Sequence, residues 1–99
     1  MSKLYVLIRS DLPKNYQAVQ AGHAVAEYML ECPGAWQNET LVYLRVRNEA
    51  ELEEWSERLH EMYIIRCPFF EPDINDQMTA LAVLSSPKTD ELFQGMRLV

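Results

Sequence analysis

Glycine is scarce in this chain, three of 99 residues, and proline little commoner at five. That excludes collagen-like and low-complexity architectures, which are built on those residues. Two cysteines, Cys32 and Cys67, are too few for a disulfide framework. They form no C-x-x-C pair, and a four-ligand zinc site would have to recruit both His23 and His60. They read as reduced structural thiols of a cytoplasmic protein, and neither a metal nor another cofactor is expected. Long hydrophobic runs are also missing. The apolar stretch after Lys3 stops at Arg9, too soon for a signal peptide or a membrane span, so no membrane partner is expected. Basic charge is short as well: nine Lys and Arg against fifteen Asp and Glu, a net charge of −6. Such a balance argues against strong non-specific binding to nucleic acid, unless the acidic residues are segregated and leave a basic patch elsewhere.

What is present suits one globular domain over residues 1–99, with 48 % of residues hydrophobic and 24 % charged. Leu4-Tyr5-Val6-Leu7-Ile8 is a continuous apolar run of β-formers, expected as a strand buried on both faces. A helix is expected from about Tyr16 to Glu31, packed through Ala18, Ala21, Val25 and Tyr28, and ended by Pro33-Gly34. Thr40–Val46 reads as a second strand. Asn48 then reads as an N-cap, with Glu51 placed as in a capping box. Leu52, Trp55, Leu59 and Met62 give the following helix one apolar face, and its six glutamates between Glu49 and Glu61 a solvated one. Strands are expected at Tyr63–Cys67 and Met78–Leu84, and a short helix near Thr89–Gln94. Ten residues between the last two strands are too few for a helical crossover, so those strands are expected to be antiparallel or not adjacent. The order β-α-β-α-β-β-α implies an α/β fold: a mixed four-stranded β-sheet with helices on both faces.

In such sheets ligands gather beyond the carboxyl ends of parallel strands. Arg9-Ser10-Asp11-Leu12, the helix start after Lys14, and Glu71-Pro72-Asp73 are the segments expected to meet there. His23 shares a helical face with Gln20 and Tyr16, and histidine is the side chain that titrates nearest neutrality, which suits proton transfer. No nucleophile elbow, H-E-x-x-H, P-loop or G-x-G-x-x-G accompanies it.

Two segments add a resemblance. Val6-Leu7-Ile8-Arg9-Ser10-Asp11-Leu12 followed by Ala18-Val19-Gln20-Ala21-Gly22-His23-Ala24 resembles the opening of type 2 peptidyl-tRNA hydrolases: an apolar strand, R-x-D-L, a loop, then A-x-Q-x-x-H-A. Thr79, the apolar run after it and Ser86-Pro87 look like that family's C-terminal stretch. The loop Pro13-Lys14-Asn15-Tyr16 is shorter than the family's and has Tyr16 where a lysine is usual. The Glu71–Asp76 segment keeps a carboxylate but not the family's glycine. The resemblance implies a peptidyl-tRNA hydrolase-like fold and cleavage of the ester between a peptide and the 3′ end of tRNA. His23 and Glu71 or Asp73 would be catalytic, and Arg9, Asp11, Lys14, Gln20 and Thr79 would bind substrate. The alternative is a catalytically inactive binding or regulatory module on the same fold. Any RNA is expected to be held by Arg9 and Lys14, with Lys3 and Arg66. A homodimer is expected through an apolar patch at Phe69-Phe70, Phe93 and Met96.

Overall fold

The computed structural model describes residues 2–99. Its elements are β1 (Lys3–Arg9), α1 (Lys14–Glu31), β2 (Thr40–Val46), α2 (Glu49–Glu61), β3 (Cys67–Glu71), β4 (Gln77–Leu84) and α3 (Pro87–Leu92), with a 3-10 turn over Pro72–Ile74. The four strands form one mixed sheet in the order β2-β1-β4-β3. β1 runs parallel to β2 and antiparallel to β4, and β4 runs antiparallel to β3, as the short connection requires. The carboxyl ends of β1, β2 and β3 therefore share one edge of the sheet with the start of β4.

The apolar run of β1 is central because both of its faces are covered. Leu4, Val6 and Ile8 join Ala80 and Ala82 under α1, whose Ala21, Ala24 and Tyr28 close that core. Tyr5 and Leu7 join Leu44, Val46, Leu81 and Val83 under Leu52 and Leu59 of α2 and Phe93 after α3. Each fully buried Leu or Ile contributes roughly 1.5–3 kcal/mol by leaving water. Leu52 and Leu59 of α2 are buried as the spacing predicts, and Glu53, Glu54, Glu57 and Glu61 are exposed; Glu49 and Glu51 are half-buried, and Glu49 accepts the Met78 N–H.

Three sequence expectations need correction. The third strand begins at Cys67, not Tyr63. Tyr63 takes a left-handed backbone (φ 59°), and its N–H donates to the His60 carbonyl, so 62–64 close α2 instead of pairing in the sheet. Ala18 is exposed; α1 is rotated so that Gln17, Gln20, Ala21, Ala24 and Tyr28 face inward, with Val25 at the margin. The last helix, expected near Thr89–Gln94, begins at Pro87, with Ser86 as its N-cap. The Ser86 hydroxyl accepts from Thr89 N–H and the Thr89 hydroxyl accepts from Ser86 N–H.

Candidate active site

The site is assembled by an irregularity in β4. The pairing of β3 with β4 slips between Phe69 and Phe70, so Thr79 has no partner of its own across the ladder. Met78 packs with the α2-side core, whereas Ala80 and Ala82 pack with the α1-side core. An extra residue thus breaks the alternation and turns Thr79 toward α1, as bulges do beside sites.

There Thr79 meets Gln20, one of the few fully buried polar side chains. The Thr79 hydroxyl donates to Gln20 Oε1 at 2.5 Å, and Gln20 Nε2 donates to Glu71 Oε1 at 2.9 Å. The other Glu71 oxygen accepts the Asp73 N–H at 3.3 Å, which caps the 3-10 turn. Only 7 % of Glu71 is exposed. The Gln20 hydrogen bond, then the Asp73 N–H, and to a smaller degree the nearby His23 hold its carboxyl below the usual carboxylate range against the cost of burial. Tyr16 lies beside the same carboxylate. Its phenol is pushed up by desolvation and by the charges of Glu71 and Asp73.

His23 lies three residues beyond Gln20 on α1, exposed at the rim. Its ring stacks on Phe69 with centroids 4.7 Å apart and planes 6° from parallel. The stacking holds an exposed histidine against Phe69, near enough to Glu71 for its charge to act on that carboxylate, though no hydrogen bond or ion pair joins the two.

The single pocket expected from sequence divides into three. Gln20, His23, Glu71, Asp73 and Thr79 do come together. Arg9 and Asp11 do not join them. Arg9 follows Ile8, so its side chain leaves the opposite face, where it binds Asp11 through two contacts of 3.0 Å and Gln77 Oε1 at 2.9 Å. That bond holds the Asp11 carboxyl below its ordinary value. Lys14 lines a separate cleft with Ser10, Tyr43 and Arg45. Of the other cations expected at RNA, Lys3 lies 3.9 Å from Asp90, and Arg66 donates to the Ser56 carbonyl and hydroxyl. Sequence reasoning missed Phe69, whose place under His23 depends on the corrected β3 register, and the role of Tyr16 beside Glu71.

No family model matches the chain, and no curated protein matches it. Among solved structures, a protein of unknown function from Agrobacterium tumefaciens superposes with a TM-score of 0.74 at 14 % identity, covering 99 % of this chain and 97 % of that one. That likeness concerns the fold alone.

Proposed function

We propose that the chain is a peptidyl-tRNA hydrolase-like esterase that cleaves the bond between a peptide and the 3′ end of tRNA. The observation carrying this reading is the hydrogen-bonded chain Thr79–Gln20–Glu71 with a stacked, exposed His23 nearby. Gln20, His23 and Thr79 lie in the segments that resemble type 2 peptidyl-tRNA hydrolases, and Glu71 is a carboxylate kept in the altered 71–76 segment. Glu71, with its lowered pKa, keeps its charge to acidic pH and is a weak proton acceptor. The imidazole of His23 therefore takes the proton from the attacking water, and the Glu71 carboxylate stabilises the imidazolium that forms. Gln20 and Thr79 fix Glu71 and do not touch substrate.

The same reading makes the protein a cytoplasmic homodimer. Phe93 is buried and leaves the expected apolar patch, but Phe70 and Ile65 remain exposed along the β3 edge. Light scattering of the purified chain checks this, with twice the chain mass expected and a monomer at high micromolar concentration against it.

One observation favours a binding module without chemistry: both oxygens of Glu71 already accept hydrogen bonds within the protein. Incubation with an N-blocked aminoacyl-tRNA separates the two. Release of free tRNA by the wild type, reduced roughly 10²–10⁴-fold by Glu71→Gln, supports the hydrolase. Wild-type protein that binds the substrate without releasing tRNA supports the module.

A further inference from the structure

The chain is acidic overall, yet its cations are unevenly placed. Of nine Lys and Arg, four (Lys14, Arg45, Arg47 and Arg97) gather where β1 and β2 both end. Two clefts open there. One, of about 490 Å³, is lined by Arg45, Arg47, Arg97, Trp55 and Glu51 among others. The second, of about 530 Å³, is lined by Lys14, Arg45, Tyr43 and Leu12 among others. Ser10 and Arg45 belong to both, so the clefts adjoin across the sheet edge, one on the α2 side and one on the α1 side, as one basic trough.

The trough is built, not incidental. The Arg45 N–H donates to the Arg97 carbonyl at 2.9 Å, and the Val99 N–H donates to the Tyr43 carbonyl at 3.1 Å. The last residues thus cover the β2 edge and fix Arg97 beside Arg45. Among the described residues, no carboxylate lies within ion-pair distance of Lys14, Arg45 or Arg97. Glu51, the one acidic residue lining either cleft, reaches Arg47 at 3.2 Å, and the Arg47 side chain stays 84 % exposed. The other glutamates of α2 line neither half of the trough. Tyr43, half-buried, offers ring surface in one half; in the other, half-buried Trp55 packs edge to face with Phe93 and has the Arg58 guanidinium 4.6 Å from its ring centroid.

We infer that this trough is the docking surface for the sugar–phosphate backbone of an RNA strand. A single anion would use one cleft and one or two cations; four cations spread along two joined clefts, with an aromatic ring in each, suit successive phosphates and bases. The inference rests on the tRNA-linked reading of the substrate for its choice of polynucleotide. Lys14 opens α1 and His23 follows nine residues later, about 14 Å along a helix rising 1.5 Å per residue. A strand held in the trough can therefore bring its 3′ end to the Glu71 site.

The test uses deacylated tRNA, which has no ester to cleave, in anisotropy titrations from about 50 to 300 mM salt. The wild type is expected to bind, with affinity falling as salt rises. The triple variant Arg45→Gln, Arg47→Gln, Arg97→Gln should lose at least about tenfold in affinity at low salt and lower the salt slope by about two to three. Arg97→Gln alone should lower it by about one, which keeps the test open if the triple variant does not fold. Lys88→Gln, outside the trough, should bind as the wild type does. No wild-type binding at low salt, an unchanged slope in both trough variants, an equal loss in Lys88→Gln, or binding to phosphatidylserine vesicles without binding to tRNA would each overturn the inference. Binding of tRNA by this trough in a protein that cleaves no peptidyl-tRNA supports the inference while removing the hydrolase reading.

Discussion

Gln20 shows how much one side chain decides here. It is fully buried, and both ends of its amide are used, one by Thr79 and one by Glu71. Gln20→Ala leaves the buried Thr79 hydroxyl without a partner and Glu71 with only the Asp73 N–H, so a loss of roughly 1–3 kcal/mol in unfolding free energy is expected from urea titration. The pH dependence follows from Glu71. Its folded pKa lies below the ordinary 4.5, so the folded state binds its proton less readily than the unfolded chain does. The stability this gives is fully present above the unfolded value and is lost as pH falls through the folded one. Glu71→Gln should flatten the acid limb of a stability–pH curve, and Gln20→Ala should shift that limb toward higher pH. An acid limb unchanged in both variants would show that Glu71 is not the group responsible. The pairing of Gln20 with His23 was legible from their three-residue spacing. The burial of Gln20 was not, because Ala18 and Val25 suggested an inward face turned away from it, and Ala18 is exposed.

At the scale of elements, the strands and helices whose apolar pattern is unambiguous were readable. β1, β2, α2 and β4 lie within a residue or two of expectation. β3 was misplaced because Tyr63-Ile64-Ile65 are strong β-formers, and the left-handed position that ends α2 is held by Tyr63 where glycine would have announced it. The start of α2 is only partly a capping box. Asn48 Oδ1 accepts the Glu51 N–H at 3.0 Å, but the Glu51 carboxylate turns to Arg47 N–H at 2.7 Å instead of Asn48 N–H. Asn48→Ala should cost about 1 kcal/mol by thermal or urea unfolding, since the side-chain cap is lost while the Glu51 contact stays. A second link joins β1 to α3. The Tyr5 hydroxyl donates to Asp90 Oδ1 at 2.5 Å, and burial, then Asp90, push its phenol up to about 12. The folded state thus holds the proton that an unfolded tyrosine releases near pH 10, and stability should fall as pH rises from about 10 toward 12. In Asp90→Asn the Tyr5 phenol should ionise at lower pH, as read by ultraviolet titration. An unmoved titration would remove Asp90 as a cause.

For the molecule as a whole, the sheet order puts the ends of β1, β2 and β3 on one edge, and that edge carries both the Glu71 site and the basic trough. The edge was foreseeable from the element order. The trough was not, because Arg45 and Arg47 alternate with apolar residues on a strand and read singly as solvated positions. Charge is unevenly placed, with Glu53, Glu54, Glu57 and Glu61 of α2 exposed and lining neither cleft of the trough. The thiols are unequal as well. Burial pushes Cys67 up to about 11, whereas Cys32 is half-exposed, so brief alkylation of the folded protein at neutral pH should label Cys32 alone. Equal labelling of both would show that the α1-side core is open. The central claim, that His23 performs the proton transfer of ester hydrolysis, is tested most directly by the rate of tRNA release from an N-blocked aminoacyl-tRNA. Wild type, His23→Ala and His60→Ala are compared, His60 being the only other histidine of the chain. The expected result is cleavage by the wild type and by His60→Ala, with a loss of roughly 10²–10⁴-fold in His23→Ala at unchanged stability. No cleavage by the wild type, or a His23→Ala rate equal to that of His60→Ala, would contradict it.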